Sequence, residues 1–375
     1  MKKPLIFDTT LREGEQTPTV VFKPEQKIEL ARKFSEFGVN YIDVMPAVSE
    51  NEKKIVKRLM REDLNAEITA TCRLKKEDID TALDCDVRRA ALFTPVSDLH
   101  LQYIVGIDKK ENLKRAVEGI EYAKSHGLKV DFAVVDASRA DEYYLRQFIK
   151  KISGKVETIF IADSMGCWTP KKTYGAVKSI KNYCKSLVGL HEHNDFGLAT
   201  ANTLAGLEAG ADVFSGTFTG IGPRAGNAPN EEICMALEHL YNVPLGLKYE
   251  VLSEICSLVE EYSGFKVQNH KPIIGDYVYT HETGLHVAAL SREPKTFENF
   301  EPATIGRERR ILVGKQSGRT AVKYVLQKNG RNISEEDVSK FLRRIKSLSE
   351  YKGRSFSEEE VVEIYEKEAN ILSNL

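Results

Sequence analysis

The sequence has few of the features that mark secreted or membrane proteins. Its 375 residues include six cysteines and no CxxC pair, which argues against a disulfide framework or a cysteine metal site. We expect reduced, mostly buried thiols. No apolar run is long enough to span a membrane, and no apolar signal segment follows Met1. We therefore expect a cytoplasmic protein without a membrane partner.

An excess of one charge is also missing. The 54 basic and 55 acidic residues leave a net charge of −1, and no basic tail or acidic run stands out. This balance argues against a nucleic-acid partner and favours a small-molecule substrate. With 42% hydrophobic residues, the chain can bury a large core, and it is long for one ordinary domain.

The most regular pattern in the chain is an alternation of apolar and amphipathic segments. Short apolar runs predict eight strands, at residues 5–9, 41–45, 68–72, 90–94, 130–135, 158–162, 187–191 and 213–217. Amphipathic segments between them predict helices at 24–36, 49–61, 109–125, 142–152, 171–184, 198–208 and 230–240. Eight βα units favour a closed (β/α)8 TIM barrel over an open sheet, which more often stops at five or six strands.

The alternation stops after about Tyr262. The remaining stretch has a Gly- and His-containing segment at 275–286, a loop-rich region, and two charged helical patterns at 334–349 and 357–372. We therefore predict an α/β protein with a TIM-barrel catalytic domain at 1–262. The C-terminal subdomains at 263–375 form a mostly helical appendage.

Two polar segments follow predicted strands, DTTLREGEQ at 8–16 and HEHND at 191–195. Strand ends of this kind carry the chemistry of α/β folds. Alternate side chains of a strand share a face, so His191 and His193 can reach one cation while Glu192 points away. Glu13 can add a carboxylate. Two imidazoles and a carboxylate leave positions on a divalent ion that an α-keto acid can fill.

Five segments together resemble one family of enzymes. They are DTTLREGEQ at 8–16, ADSMG at 162–166, HEHNDFGLA at 191–199, GIGPRAGNA at 220–228 and HETGLH at 281–286. In this order they are similar to the metal-dependent acyl-CoA condensing enzymes, the homocitrate, isopropylmalate and citramalate synthases. That family is related to hydroxymethylglutaryl-CoA lyase.

The resemblance implies a metal site and a charge-stabilising group. Glu13, His191 and His193, with Asn227 beside them, would hold a divalent ion such as Zn, Mn, Mg or Co. Arg12 would stabilise the negative charge that develops on the keto oxygen, a task suited to a fixed guanidinium. Arg12 is thus one of two catalytic candidates.

The second catalytic candidate is His286, which matches a histidine that helps to remove a proton from the acetyl methyl group. Gln16 and Ser164 match substrate-binding positions, with Ser164 where the family usually has Thr. Arg73 matches an arginine that reaches the distal part of the substrate, although an ion pair at the barrel mouth is an equal alternative. His100, in the fourth βα loop, is a further candidate for substrate contact or for a structural role. His286 could also anchor the appendage.

The implied reaction is a Claisen-type addition of acetyl-CoA to a metal-bound α-keto acid, followed by thioester hydrolysis, in a homodimer. The Glu in LREGEQ and the presence of Arg73 favour a homocitrate-synthase-like enzyme. Three alternatives stay open: a metal-dependent lyase or aldolase of the hydroxymethylglutaryl-CoA lyase type, condensation with an unusual acyl donor, and a non-catalytic metabolite-binding relative.

The chain departs from the family pattern at positions that bear on this choice. Val135 stands where a catalytic Glu is usual, and Phe297 stands where a Tyr is expected beyond His286. Pro223 replaces a Glu in the glycine-rich segment. A histidine without Glu and Tyr partners is a less well oriented base. Metal and keto-acid binding are therefore expected to be intact, and acetyl activation is the part in question.

Overall fold

Eight parallel strands form a closed barrel, in which each strand pairs with the next in chain order and the last pairs with the first. The structure is a computed structural model that describes residues 1–373 and the side chains of residues 1–368. The strands are β1 (Leu5–Asp8), β2 (Tyr41–Val44), β3 (Glu67–Arg73), β4 (Arg89–Pro95), β5 (Lys129–Val135), β6 (Thr158–Asp163), β7 (Leu187–Glu192) and β8 (Val213–Gly216). The predicted TIM barrel is confirmed, with every strand end within one residue of its expected place.

A helix follows each strand, as a parallel barrel requires. The helices are α1 (Pro24–Phe37), α2 (Glu50–Leu59), α3 (Lys76–Asp84), α4 (Lys109–Ser125), α5 (Glu142–Ile152), α6 (Pro170–Lys181), α7 (Ala199–Glu208) and α8 (Asn230–His239). The sequence reading missed α3. This helix is nine residues long and buries only Asp78, Ile79 and Ala82, so its amphipathic signal is weak.

The interior of the barrel is closed by aromatic and small side chains. Phe7, Ala91, Phe160 and Val213 form a buried cluster, and the rings of Phe7 and Phe160 meet edge to face with centroids 4.9 Å apart. Gly189 of β7 makes room for this packing, because a Cβ there would lie 2.5 Å from the Phe160 ring. We call this cluster of four residues the aromatic floor.

A buried ion pair lies at the amino ends of the strands. Arg89 opens β4, and its Nη1 donates to both carboxylate oxygens of Asp131 at 3.0 Å. Its Nε donates to Glu67 at 3.0 Å, and its guanidinium stacks over the ring of Tyr41. The charge of Arg89 is therefore neutralised by carboxylates at the end of the barrel away from the strand C-termini.

Two compact units make up the chain, Met1–Val267 and Gln268–Leu375. The barrel unit ends with α9 (Leu252–Ser263), so the boundary expected after residue 262 lies inside the last turn of that helix. The second unit holds a short parallel pair, β9 (Thr280–His281) and β10 (Arg310–Ile311). Its helices are α10 (Gly284–Leu290), α11 (Arg319–Lys328), α12 (Glu335–Lys352) and α13 (Glu358–Ser373).

The second unit has an apolar core of its own, which includes Val287, Ile311, Val325 and Phe341. The C-terminal helical region is thus confirmed, although α10 and α11 were not expected from the sequence. Within residues 1–373, we find no helix with the length and apolarity needed to span a bilayer. All six cysteines are free, and four of them are buried, as expected.

Candidate active site

The three predicted metal ligands converge where β1 and β7 end. Glu13 lies in the loop after β1, His191 is in β7, and His193 follows that strand directly. One potential ligand atom from each residue lies within 4.8 Å of the others. The Oε2 atom of Glu13 is 3.6 Å from Nε2 of His193. We call Glu13, His191 and His193 the ligand triad.

Both imidazoles are held from behind by oxygen atoms of neighbouring strands. Nδ1 of His191 is 3.0 Å from the Ser215 hydroxyl oxygen, and Nδ1 of His193 is 3.3 Å from the Asp163 carbonyl oxygen. Such contacts fix the ring orientation and leave the second nitrogen of each ring available to a cation.

Asn227 is drawn to this group by a β-bridge to His193. Its Oδ1 is buried without a hydrogen-bond partner, and so is Oε2 of Glu13. Buried oxygens of this kind are costly unless a cation or water binds them, so the donor set fits a divalent metal. The glycines before Asn227 permit the approach, because a Cβ at Gly222 would lie 2.5 Å from its side-chain nitrogen.

The electrostatics of the triad favour forms that can bind a metal. Burial by itself would raise the pKa of Glu13, but the charge of Arg12 and the two nearby imidazoles outweigh it and bring this pKa well below its usual range. Burial, with a smaller contribution from His193, lowers the pKa of His191 to about 3. At neutral pH an ionised carboxylate therefore faces a neutral His191.

Arg12 is fixed beside the triad by two carboxylates. One is Glu13, which accepts from its Nη1, and the other is Asp43 of β2, whose Oδ2 accepts from its Nε at 2.7 Å. Asp43 is fully buried and also accepts from the hydroxyls of Thr71, at 2.6 Å, and Thr9, at 2.9 Å. The sequence analysis assigned no role to Asp43. A carboxylate inside the otherwise apolar strand YIDV was the signal that it has a buried polar partner, although it did not indicate that the partner is Arg12.

A cavity of about 430 Å³ opens at the carboxyl ends of the strands. Its lining includes seven of the ten candidate residues, namely Arg12, Glu13, Gln16, His100, Ser164, His191 and His193. The amide nitrogen of Gln16 is 3.4 Å from Oε1 of Glu13. The structure therefore brings the candidates of the first, fourth, sixth and seventh loops together around one space.

Ser164 and His100 join a network that the sequence did not predict. The hydroxyl of Ser164 accepts from the backbone N–H of Asp136 at 2.8 Å. Nε2 of His100 lies 3.6 Å from Oδ2 of Asp136 and 3.0 Å from Nη2 of Arg139. Asp136, with a left-handed backbone at φ 61°, thus organises one side of the cavity mouth.

Arg73 does not line the cavity. Its guanidinium grips Asp78 of α3 through two hydrogen bonds, Nε to Oδ2 at 2.7 Å and Nη2 to Oδ1 at 2.8 Å. The ion pair that the sequence left open as an alternative is present. A contact between Arg73 and substrate stays a prediction.

His286 lies in α10 of the second unit, with its ring centroid 4.0 Å from that of Phe297. The position at which the family pattern expects Tyr is thus in contact with the histidine, but it offers no hydroxyl. The neighbouring His281 lies 3.4 Å from Glu298, which is held in turn by Arg309.

Comparisons with known proteins extend over both units. A family profile described as HMGL-like matches residues 3–259, and one described as homocitrate synthase post-HMGL domain-like matches residues 273–353. Homocitrate synthase AksA of Methanocaldococcus jannaschii is 45% identical over 98% of this chain and 91% of its own. A probable 2-isopropylmalate synthase of Ignicoccus hospitalis is 42% identical over 98% and 92%.

The chain belongs to the HMGL-like family. Its relatives at 41–45% identity include homocitrate synthases, and isopropylmalate and citramalate synthases are also among its homologues. These similarities are consistent with an acetyl-CoA condensing acyltransferase. Hydroxymethylglutaryl-CoA lyase is a distant structural relation within the fold. The enzyme of Bacillus subtilis superposes with a TM-score of 0.64 at 21% identity, over 71% of this chain and 96% of that one.

Proposed function

We propose that this protein is a metal-dependent acyltransferase that joins the acetyl group of acetyl-CoA to an α-keto acid and then hydrolyses the thioester. The observation that carries the proposal is the ligand triad with Arg12 fixed beside it at the mouth of one cavity. The similarity to synthases over nearly the whole chain supports the same reaction class.

In this proposal Glu13, His191, His193 and Asn227 hold a divalent cation, Zn, Mn, Mg or Co. When bound, the cation polarises the keto group and orients the keto acid. Ser164 and Gln16 flank the position that the substrate carboxylate takes. Ser164 is suited to this because its hydroxyl, already accepting from Asp136, can donate its own proton.

Arg12 stabilises the oxygen on which negative charge develops. Asp43 and Glu13 hold its guanidinium in place before the substrate arrives, so little reorganisation is needed during the reaction. Arg12 has five N–H donors and shares two of them with these carboxylates, which leaves donors for the substrate.

His286 is proposed as the base that takes a proton from the acetyl methyl group. The methyl carbon then bonds to the keto carbon, and the keto oxygen gains a proton to become a tertiary alcohol. Water cleaves the thioester and releases the CoA thiol. Phe297 can pack against the imidazole but cannot accept or donate a proton to it, so this histidine works without the usual tyrosine.

The test is thiol release from acetyl-CoA in the presence of each of the four metals and a panel of keto acids. We expect release that requires both metal and keto acid, that stops with a chelator, and that is lost in His286→Ala. Release of acetyl-CoA from a hydroxyacyl-CoA, with no condensation across the panel, would move the assignment to a lyase.

The proposal includes a homodimer. Light scattering coupled to size-exclusion chromatography should give twice the 42.2 kDa mass of one chain. A monomer that is fully active would contradict this part of the proposal.

A further inference from the structure

The cavity wall across the barrel from β1 is apolar along three consecutive strands. Side chains at alternate positions of β4, β5 and β6 face the same space. In the register of the sheet, Phe93 pairs with Ala133, and Ala133 pairs with Phe160. The six lining residues of this wall are Ala91, Phe93, Ala133, Val135, Phe160 and Ala162. We call them the apolar wall.

The apolar wall continues into the aromatic floor, beside which Thr71 of β3 and Ser215 of β8 also line the cavity. Phe160 and Ala91 belong to both, and Phe7 closes the floor from β1. A substrate side chain that points away from the ligand triad into the barrel therefore meets carbon atoms on the wall and on the floor.

The positive charges that line this space are already paired with carboxylates of the protein. The two arginines that line the cavity are Arg12, bound to Glu13 and Asp43, and Arg224. Arg224 donates to both carboxylate oxygens of Asp195, at 2.7 and 2.9 Å. No lysine is among the lining residues, all of which lie in the described part of the chain.

The next arginine along β4 is also out of reach. Arg89 precedes Ala91 by two residues and is buried below the aromatic floor, where Asp131 and Glu67 hold it. At the mouth, His100 is in contact with Asp136 and Arg139, and these two residues form an ion pair with each other. A second carboxylate on the substrate would thus be buried without an unpaired cation, which is strongly unfavourable.

We propose that the keto acid of this enzyme is a monocarboxylate with an uncharged, apolar side chain. This rests on the proposed function. It sets the chain apart from a homocitrate synthase, because homocitrate is a tricarboxylate. One carboxylate of homocitrate comes from the acetyl group after thioester hydrolysis, and a second is the carboxylate next to the keto group. The third must therefore come from the side chain of the keto acid. Three alanines in the apolar wall leave room for a branched or extended hydrocarbon group.

The experiment compares two keto acids of nearly equal shape, 5-methyl-2-oxohexanoate and 2-oxoglutarate, which differ by an isopropyl group in place of a carboxylate. Calorimetric titration of the Mn²⁺-loaded protein without acyl-CoA measures their affinities. We expect the apolar compound to bind about 100-fold or more tightly, and kcat/KM in the thiol assay to follow the same order.

The outcomes separate this inference from the proposed function. Selective binding of the apolar compound without condensation would leave the inference standing and refute the acyltransferase. Equal or tighter binding of 2-oxoglutarate would overturn the inference whatever the turnover. Failure of both compounds to bind would overturn it too, because the cavity would then not be a keto-acid site.

Adding a positive charge to the apolar wall tests directly whether the lack of an unpaired cation excludes a second substrate carboxylate. Val135→Arg places a guanidinium in the apolar wall, and Val135→Leu adds volume there without charge. We expect Val135→Arg to shift the preference toward 2-oxoglutarate by at least about 10-fold and Val135→Leu to leave the preference apolar. If Val135→Arg fails to fold, the comparison of the two keto acids on the unaltered protein still decides.

Discussion

One side of the cavity is lined mainly by charged and polar side chains, and the opposite side is lined by apolar side chains of the strands. On the side of β1, β7 and β8, buried charged and polar groups are interlocked, with Arg12 held by Asp43 and His191 backed by Ser215. On the side of β4 to β6, the lining residues of the strands are hydrocarbon. The polar side can bind a metal and stabilise charge, and the apolar side can only select shape. In our proposal, reaction type and substrate choice are therefore carried by different strands.

The largest expected effect comes from breaking the polar side. His191→Ala or His193→Ala should abolish turnover and the binding of one equivalent of divalent ion, because a ligand is lost while the packed barrel remains. Elemental analysis after dialysis measures the metal. His126→Ala, at an exposed histidine whose ring bonds only within its own segment, is the matched control. Full metal content in both triad variants would refute the metal site.

A smaller effect is expected when the charge is kept but its geometry is lost. Arg12→Lys should lower kcat by about two to three orders of magnitude with metal still bound, as when an oxyanion donor is removed. Steady-state kinetics with a metal assay on the same sample measures both. Arg58→Lys, at an exposed arginine paired with Glu25, is the control. An unchanged kcat would assign Arg12 to structure.

The support of the aromatic floor can be tested through stability. Gly189→Ala adds a methyl group 2.5 Å from the Phe160 ring and should lower the free energy of unfolding by about 1–3 kcal/mol. Gly175→Ala is the matched control, because its added Cβ meets no atom within 4 Å and lies in α6, where Ala is favoured. Denaturant unfolding compares the two. Equal free energies of unfolding for the two variants would show that the Phe160 ring can move aside for the added methyl group at little cost.

The smallest expected effect is a single hydroxyl on the apolar side. Val135→Thr keeps the volume of the side chain, and desolvation of its hydroxyl by an apolar substrate costs about 1 kcal/mol, so kcat/KM should fall about fivefold with metal content unchanged. Val48→Thr, at an exposed valine, serves as the control in the same assay. An increase in kcat/KM would show that this wall faces a polar part of the substrate.

The two sides also differ in how far the sequence predicted them. Short apolar runs and their polar ends were enough to place every barrel strand and to bring His191, His193 and Glu13 to one point, because strand ends of a parallel barrel share one edge. The roles of Asp43 and Asp136 were missed, since their contacts join different strands and loops that are distant in sequence. The shared apolar wall was missed for the same reason. Phe93, Ala133 and Phe160 become neighbours only through the register in which β4, β5 and β6 pair.

The measurement that tests the central claim most directly is carbon NMR of a reaction with acetyl-CoA labelled at its methyl carbon. With metal and 5-methyl-2-oxohexanoate present, we predict that the label appears in a methylene group attached to a tertiary alcohol carbon, with one free CoA thiol for each new bond. Label that remains in a methyl group while thiol is released would show plain thioester hydrolysis, and it would contradict the account.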